Sequence, residues 1–303
     1  MWPSAAVSPW PRASCSGRVV RFGNLAGRLV LIVGNRAVDV ELASSGRFGP
    51  LPHAVYEQWG AFAEWAASFR AEPDQLVVFD KTALGSPSPT PAQVFAVGLN
   101  YAEHVREAGL PTATGFPPVF TKFPSSITGP YTQVTPPQGH VDGEVELALI
   151  VGRRARNVSV DEGWGHVAAV TVAQDISERV EQFRGSQPQY SLAKSHPGFT
   201  PLGPWGVTPD EFADPDALAL RSVLNGEVMQ AGNTRDLVTG VPELVSGLSR
   251  VVTLMPGDVI LTGTPDGVGM SRNPPRYLRP GDLLVSTIQD VGALAQTFVS
   301  AAD

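Results

Sequence analysis

The sequence predicts an α+β protein in which short strands outnumber helices. The chain of 303 residues contains 31 Gly and 28 Pro, and both residue types favour turns over long regular elements. The runs 145–151 and 167–173 are apolar on both faces of an extended chain, which is typical of buried strands. Apolar residues at helical spacing are found in a few segments, of which 54–70 and 237–253 are the longest. A hydrophobic share of 43% supports a substantial core around these elements.

The N-terminal third predicts a small α+β unit. Residues 18–22 and 28–40 have strand character, with a hairpin turn at Gly34-Asn35. The helical segment 54–70 follows. The repeated prolines of 86–91 cannot continue a helix or a central strand, so we place a domain boundary there. The predicted division is a loose tail at 1–17, a small domain at 18–88 and the main domain at 89–303.

The main domain predicts strands joined by short helices and turns. A strand at 93–97 leads to a short helix at 101–108, for which Asn100 and Glu103 have the spacing of an N-terminal capping box. The glycine-rich stretch 263–269 is not a phosphate loop, because no Lys-Ser/Thr follows it. The remaining predicted elements are a short helix at 177–183, a turn-rich stretch at 201–205, a hairpin of 218–223 with 227–230 across Asn225-Gly226, a helix at 237–253, and strands at 259–262, 283–289 and 293–299.

Two glutamates on one strand predict a metal site. Glu144 and Glu146 are two residues apart, so they point to the same face of an extended chain. Two buried carboxylates repel one another and cost several kcal/mol each unless a positive charge compensates them. A divalent cation with oxygen ligands provides that charge, and Asp175, at the end of strand 167–173, is a candidate third ligand. The alternative is a solvated strand face without a ligand.

A histidine and a glutamate on the helix at 101–108 predict a catalytic dyad. His104 and Glu107 are three residues apart and share a helix face. Glu107 can therefore orient His104 and raise its basicity, as activation of a water molecule requires. The alternative is a weak surface contact. A lone lysine such as Lys194 is ordinarily a surface residue, and a loop histidine such as His196 is ordinarily exposed.

Charge and cysteine content exclude several classes of protein. The net charge of −7 and the lack of a basic cluster argue against a nucleic-acid partner. Cys15 is the single cysteine, so an internal disulfide framework and a cysteine-based metal site are excluded. No apolar run has transmembrane length, and prolines interrupt the N-terminal residues where a signal peptide requires an apolar core. We expect a soluble cytoplasmic protein with no membrane partner.

Five ordered blocks resemble the fumarylacetoacetate hydrolase family. They are 97–104, 144–147, Asp175 with Arg179 and Gln182, 193–195, and 225–227 with 257–258 and 263–269. Their order and spacing are similar to those of the family across about residues 91–299. The resemblance implies a catalytic domain built as a mixed β-sandwich roll, with a small extra N-terminal domain and usually as a homodimer.

The resemblance also implies roles for individual residues. It implies Mg²⁺ or Mn²⁺ held by Glu144, Glu146 and Asp175, an oxygen ligand set that suits a hard cation. His104 corresponds to the catalytic base and Glu107 to its partner. The positions that contact substrate or support the site correspond to Lys194, Arg179, Gln182 and Thr264.

The sequence departs from the family at three places that border the site. Residues 97–100 lack the fourth carboxylate ligand of the eukaryotic fumarylacetoacetases, which points to the acylpyruvase and decarboxylase branches. Gln174 replaces a common Asn, and His196-Pro197-Gly198 replaces a common Phe-Asp. His196 is thus a further candidate for substrate contact.

The expected function is metal-dependent hydrolysis of a C–C bond in acylpyruvate-like or 2,4-diketo acids. The cation would chelate the 2-oxo acid end, Lys194 would add positive charge where the enolate forms, and His104 would activate water. The same site could instead serve an oxaloacetate-type decarboxylase, or a hydratase or isomerase of unsaturated 2-oxo acids. A catalytically silent ligand-binding protein is the alternative from another class.

Overall fold

A computed structural model describes residues 20–109 and 115–301, and the predicted tail 1–17 with Cys15 lies outside the described residues. The strands are β1 (Arg21–Leu25), β2 (Arg28–Val33), β3 (Arg36–Asp39), β4 (Val77–Val78), β5 (Leu84–Gly85), β6 (Val94–Val97), β7 (Val119–Thr121), β8 (Ile127–Thr128), β9 (Tyr131–Val134), β10 (Val141–Asp142), β11 (Val145–Val151), β12 (Val167–Gln174), β13 (Ser177–Glu178), β14 (Thr200–Val207), β15 (Ala219–Leu224), β16 (Glu227–Asn233), β17 (Val259–Leu261), β18 (Leu283–Ile288) and β19 (Gly292–Phe298). The α-helices are α1 (Val40–Ala43), α2 (Trp59–Ser68), α3 (Ala102–Glu107), α4 (Arg179–Gln182), α5 (Tyr190–Ala193) and α6 (Val241–Val251).

A twelve-stranded sheet carries the elements that matter for function. Its order is β4-β3-β2-β1-β14-β12-β11-β17-β6-β7, with β5 paired to β1 and β8 to β14. The central strands β11 and β12 are antiparallel, whereas β17 pairs with β6 in parallel. Every residue of both central strands is buried. The sheet is therefore mixed and covered on both faces at its centre.

A second sheet of five strands covers one face of the first. Its order is β16-β15-β18-β19-β9, and β15, β18 and β19 contact the central strands of the large sheet. The core between the sheets includes Leu147 and Leu149 from β11, Trp205 from β14, and Leu220 and Leu294 from the smaller sheet. The predicted α+β class with a mixed β-sandwich is confirmed.

The N-terminal strands extend the large sheet. Strand β1 pairs with β14 in the register Arg21↔Val207 and Phe22↔Gly206. Aromatic residues of the α2 region, including Trp59 and Phe62, pack in one cluster with Ile150 of β11. The division into domains at residues 88 and 89 stays a prediction, since the N-terminal strands and β14 share one sheet.

The stretch 201–205 forms a buried strand, so the prediction of a turn-rich segment there was wrong. Strand β14 lies at the centre of the large sheet, between β1 and β12. Its pairing with β12 is irregular between Val170 and Val172, the place that Pro204 faces. Because a proline has no N–H to donate, an interrupted ladder accommodates it where a regular ladder would not.

Three helix predictions need correction. The segment 54–70 divides into a 3-10 turn at Pro52–Gln58 and α2, and α6 begins at Val241 instead of residue 237. Pro242 lies in the first turn of α6, where its missing N–H has no cost. The capping box at Asn100 was also wrong, because Tyr101 occupies the N-cap and Asn100 bonds elsewhere.

Candidate metal centre and active site

The register of β11 and β12 brings the three predicted carboxylates together. Val145 pairs with Gln174, and the Asp175 N–H donates to the Glu144 carbonyl at 2.9 Å. Ligand oxygens of Glu144, Glu146 and Asp175 all lie within 4.8 Å of one another, and the three residues are no more than 5% exposed. A hard divalent cation prefers such a set of oxygen donors.

Two lysines neutralise part of this acidic cluster. Lys194 Nζ donates to Glu144 Oε2 at 2.7 Å and to Asp175 Oδ2 at 2.6 Å. Lys122 Nζ donates to Asp175 Oδ1 at 2.5 Å and to the Phe199 carbonyl at 2.9 Å. Burial by itself would lower the pKa of both ammonium groups. The carboxylates outweigh burial at Lys194 and raise its pKa, whereas at Lys122 burial prevails and the pKa is lowered.

Glu146 is the carboxylate whose charge is least compensated. Its Oε2 accepts the Gly263 N–H at 2.7 Å, and no ion pair to Glu146 occurs among residues 20–109 and 115–301. Burial, together with the charges of Asp175 and Glu144, raises its pKa well above the usual value. Glu144 differs, because Lys194 and Arg179 outweigh the effect of burial and lower its pKa. A divalent cation therefore fits a cluster that retains an uncompensated buried acid.

Arg179 is fixed at the edge of this cluster by a second aspartate. Its Nε and Nη2 donate to Asp142 Oδ2 at 3.1 and 2.9 Å, and Nη2 also donates to Glu144 Oε1 at 2.6 Å. Nη1 donates to Gln182 Oε1 at 3.0 Å. Asp142 further accepts the backbone N–H groups of Gly269 and Met270. One carboxylate thus joins Arg179 to the end of the glycine-rich loop.

The predicted dyad forms on α3. His104 Nδ1 lies 3.2 Å from Glu107 Oε2, and Glu107 Oε1 accepts the Gly267 N–H at 2.9 Å. The side chains are 13% and 20% exposed, which allows contact with solvent or a ligand. The Gly263 N–H of the same loop donates to Glu146, so the glycine-rich loop joins the dyad to the carboxylate cluster. The hydrogen bond from Gly267 fixes the Glu107 side chain. A weak contact between two surface residues would lack this additional bond.

The other predicted site residues have different surroundings. Thr264 is buried, donates to the Val145 carbonyl at 2.9 Å and accepts from Gln230 at 2.7 Å. Gln174 accepts the Glu144 N–H and donates to Ser286, so it ties the two sheets together. His196 Nε2 lies 2.9 Å from the carboxylate of Glu181 in α4, and the His196 side chain is 29% exposed.

Three residues of the site were missed in the sequence. Lys122 and Asp142 pair with predicted site residues, and Gln230 accepts the Val145 N–H beside the two glutamates. Asp142 is two residues before Glu144, so the alternation that selected the glutamates could have included it. Lys122 directly follows β7, which is the type of strand-end position that marked Asp175.

Comparison with known proteins identifies the relatives of this chain. The human mitochondrial protein "oxaloacetate tautomerase FAHD2A" is 42% identical over 298 residues, which cover 96% of this chain and 94% of that protein. The crystal structure of a "putative HpcE protein" from Mycobacterium smegmatis matches with a TM-score of 0.87 and 51% identity, covering 93% of this chain and all of that one. Maleylpyruvate hydrolase from Sphingobium sp. SYK-6, solved with manganese(II) and pyruvate, matches with a TM-score of 0.76 and 28% identity, with coverages of 93% and 100%.

Among the described helices, none has the length and apolarity needed to cross a membrane.

Membership of a family follows from the matches with known proteins. Two of these relatives, the oxaloacetate tautomerase and the maleylpyruvate hydrolase, are named as enzymes that act on small organic acids. The family model of the fumarylacetoacetate (FAA) hydrolase C-terminal domain matches residues 93–299, which contain the carboxylate cluster and the dyad. The chain belongs to the fumarylacetoacetate hydrolase family.

Proposed function

We propose that this protein is a divalent-metal-dependent hydrolase that cleaves a C–C bond in 2,4-dioxo acids of the acylpyruvate type. The observation that carries the proposal is the cluster of Glu144, Glu146 and Asp175, whose ligand oxygens lie within 4.8 Å of one another and which the loop 263–269 joins to the His104–Glu107 dyad. These three carboxylates would hold Mg²⁺ or Mn²⁺. The bound cation would supply Lewis acidity and a fixed orientation for the 2-oxo acid group.

The positively charged side chains of Lys194 and Arg179 would bind the carboxylate end of the substrate. Lys194 bridges two of the ligand carboxylates, so its charge lies where an anionic 2-oxo acid would be received. Arg179 and Gln182, which are hydrogen-bonded to each other, would line the same site, and Thr264 would hold the loop 263–269 through its bond to the Val145 carbonyl. A developing enolate oxygen would be stabilised by Lys194 because the carboxylate cluster and this lysine are buried, and burial strengthens electrostatic interactions.

The dyad would move the protons. His104 would take a proton from water while Glu107, held by the Gly267 N–H, orients the imidazole. The hydroxide adds to the distal carbonyl carbon, and the bond between that carbon and C3 then breaks. The electron pair passes to C3 as the enolate, which takes up at C3 the proton that His104 removed from water and so gives the 2-oxo acid. The other product is a carboxylic acid.

A keto–enol tautomerase for oxaloacetate-type acids is the second candidate. The near full-length similarity to the human oxaloacetate tautomerase favours it. It needs only a proton transfer at C3, for which His104 is equally suited, and no attack by water. Decarboxylation or isomerisation of unsaturated 2-oxo acids would use the same binding residues.

One experiment separates these reactions. Metal-stripped protein is reloaded with Mg²⁺ or Mn²⁺ and given acetylpyruvate or oxaloacetate, with products identified by NMR. Pyruvate and acetate from acetylpyruvate support the hydrolase, and accelerated enol–keto exchange of oxaloacetate alone supports the tautomerase. The variants Glu146→Gln and the exposed control Glu227→Gln are assayed in parallel. Equal turnover by wild type and Glu146→Gln would contradict a metal centre at this cluster.

Assembly and compartment remain predictions. A homodimer is expected from the family and would be measured by light scattering. The human relative is named as mitochondrial, whereas the cytoplasmic placement of this chain is an expectation that imaging of the tagged protein would check.

A further inference from the structure

Gln230 is a buried side chain of β16 that no step of the proposed mechanism uses. It is 1% exposed, and both polar atoms of its amide are hydrogen-bonded. Its Oε1 accepts the Val145 N–H at 3.0 Å and the Ser222 hydroxyl at 3.1 Å. Its Nε2 donates to Thr264 Oγ1 at 2.7 Å and to the Pro265 carbonyl at 2.8 Å. One amide therefore joins the strand that carries the two glutamates, the smaller sheet and the glycine-rich loop.

The glycine-rich loop, residues 263–269, donates hydrogen bonds to both parts of the candidate site. Its Gly263 N–H donates to Glu146 of the carboxylate cluster at 2.7 Å. Its Gly267 N–H donates to Glu107 of the dyad at 2.9 Å. Because both donors belong to one short stretch of backbone, a displacement of the loop would move both of them. The placement of the dyad relative to the metal ligands therefore depends on what holds this loop.

The backbone beside Gln230 also fits the loop closely. The pairing of β16 with β15 shifts register there, so that Met229 is an extra residue in the ladder. A bulge of this kind changes the direction of neighbouring side chains. Gly267 lies against Met229, since a Cβ at Gly267 would overlap the Met229 carbonyl oxygen, and its φ of +96° also favours glycine. The loop is thus held to β16 by the Gln230 side chain and by backbone packing at Met229.

We propose that Gln230 is a positioning residue that fixes the His104–Glu107 dyad relative to the metal ligands through the loop 263–269. This inference rests on the proposed function, in which the dyad moves protons at a substrate bound to the cation. The Nε2 end of the Gln230 amide holds the loop and the Oε1 end holds the first residue of β11. The loop cannot shift along β11 without breaking one of these bonds. Proton transfer by a general base requires hydrogen-bond reach, so it depends on this spacing.

Gln174 offers a matched comparison. It is also a buried glutamine, and its Oε1 accepts the N–H of Glu144, the residue directly before Val145. Its Nε2 donates to Ser286 of the smaller sheet, whereas that of Gln230 donates to the loop. Removing the Gln174 amide should therefore loosen the same strand and leave the loop attached.

Hydrogen exchange monitored by mass spectrometry tests the attachment of the loop in metal-free protein. Wild type is compared with Gln230→Met, Gln174→Met and the surface control Gln133→Met on the edge strand β9. Methionine is of similar length and cannot make the amide hydrogen bonds. The backbone amides of 263–270 should exchange roughly 10-fold faster in Gln230→Met, the effect of losing one or two hydrogen bonds, and at the wild-type rate in the other variants. Thr264→Val removes the same contact from the loop side and replaces Gln230→Met if that variant does not fold.

A double-mutant cycle tests whether the loop acts on the dyad. The kcat for acetylpyruvate or oxaloacetate, whichever wild type turns over, is measured for Gln230→Met, Glu107→Gln and the double variant. Gln230→Met should lower kcat roughly 10- to 100-fold in the wild-type background, as a misplacement of about 1 Å does. In the Glu107→Gln background the loss should be less than about 3-fold, because both substitutions remove the same orientation of the dyad. A general loss of stability would instead multiply the two losses.

The outcomes separate this inference from the proposed function. Unchanged exchange of 263–270 in Gln230→Met and Thr264→Val overturns the inference, and so does an equally large increase in Gln174→Met. Losses in kcat that multiply overturn the link to the dyad. If wild type turns over neither substrate, the proposed function fails, whereas the exchange measurement still supports or overturns the placement of the loop by Gln230.

Discussion

Lys122 and Asp175 form an ion pair that is withdrawn completely from solvent. Lys122 Nζ lies 2.5 Å from Asp175 Oδ1, and the side chains are 0% and 1% exposed. The second oxygen of Asp175 is bonded to Lys194 at 2.6 Å. Asp175 is thus held on both oxygens before any ligand is considered, and the two lysines determine the orientation that it presents to a cation.

Removing Lys122 is expected to destabilise the fold. Lys122→Met leaves the buried Asp175 with one cation instead of two, and breaking a buried pair from one side costs about 3 kcal/mol. Urea denaturation of the metal-free protein measures this loss. The exposed pair member Arg106→Met should change the free energy of unfolding by less than about 0.5 kcal/mol. Equal effects of the two substitutions would show that the Lys122 pair contributes nothing special.

Divalent metal is expected to stabilise the folded protein through the carboxylate cluster. At a free concentration of 100 times Kd, a ligand bound only by the native state adds about 2.7 kcal/mol to the free energy of unfolding. Mg²⁺ and Mn²⁺ should therefore raise the Tm of wild type and of Glu227→Gln. Glu146→Gln should show little or no rise. A full metal-induced rise in Glu146→Gln would place the bound ion elsewhere.

The dyad is expected to affect turnover and not metal binding. His104→Ala should lower kcat by roughly 10²- to 10⁴-fold, the usual contribution of a general base. Glu107→Gln should have a smaller effect, since it positions His104, and both variants should keep the metal-induced rise in Tm. Glu103→Gln, on the same helix, serves as the control. Hydrolysis by His104→Ala at the wild-type rate would remove His104 from the mechanism.

The Asp282 carboxylate is expected to make stability depend on pH. Burial would raise its pKa, but hydrogen bonds from Arg276, Asn225 and the Arg279 N–H outweigh burial and lower the pKa. A lowered pKa in the folded state means that the unfolded state binds the proton first. The stabilisation is therefore present above about pH 3.9, the unfolded value, and is lost as pH falls through the folded pKa.

The variant Asp282→Asn tests this dependence. At pH 7 its free energy of unfolding should be lower than that of wild type by about 1.5–3 kcal/mol, the range for hydrogen bonds to a charged group. The difference should shrink as the pH is lowered from 5 towards 3, as measured by urea titrations of metal-free protein. A difference that stays constant over this range would mean that the carboxylate charge does not contribute.

Local patterns in the sequence were sufficient for several elements. The turn at Asn225-Gly226 joins β15 and β16 as predicted, and both residues adopt positive φ, at 51° and 90°. Strand β11 was predictable because a run of about seven residues that is apolar on both faces is a local property of the sequence. The helix α3 ends before Gly109, whose φ is +67°.

Elements that depend on distant partners could not be predicted in this way. The prolines of β14 suggest turns until the irregular pairing with β12 is known. Asn100 has the spacing of a helix cap, yet its side chain bonds to Thr239 and Thr262, which are 139 and 162 residues away. A competing long-range hydrogen bond overrode the local preference in this case.

The sequence by itself determined that Glu144 and Glu146 share a strand face, that Asp175 ends another strand, and that His104 and Glu107 share a helix face. These relationships follow from the number of residues after which side chains return to the same face, which is two in a strand and about 3.6 in a helix. Only the tertiary structure decided which charges meet. The pairing of β11 with β12 places Asp175 beside Glu144, and separate segments bring Lys122, Lys194 and Arg179 to them. The physical reason is that buried charges must be compensated, and the partners that compensate them come from segments up to 53 residues apart in the chain.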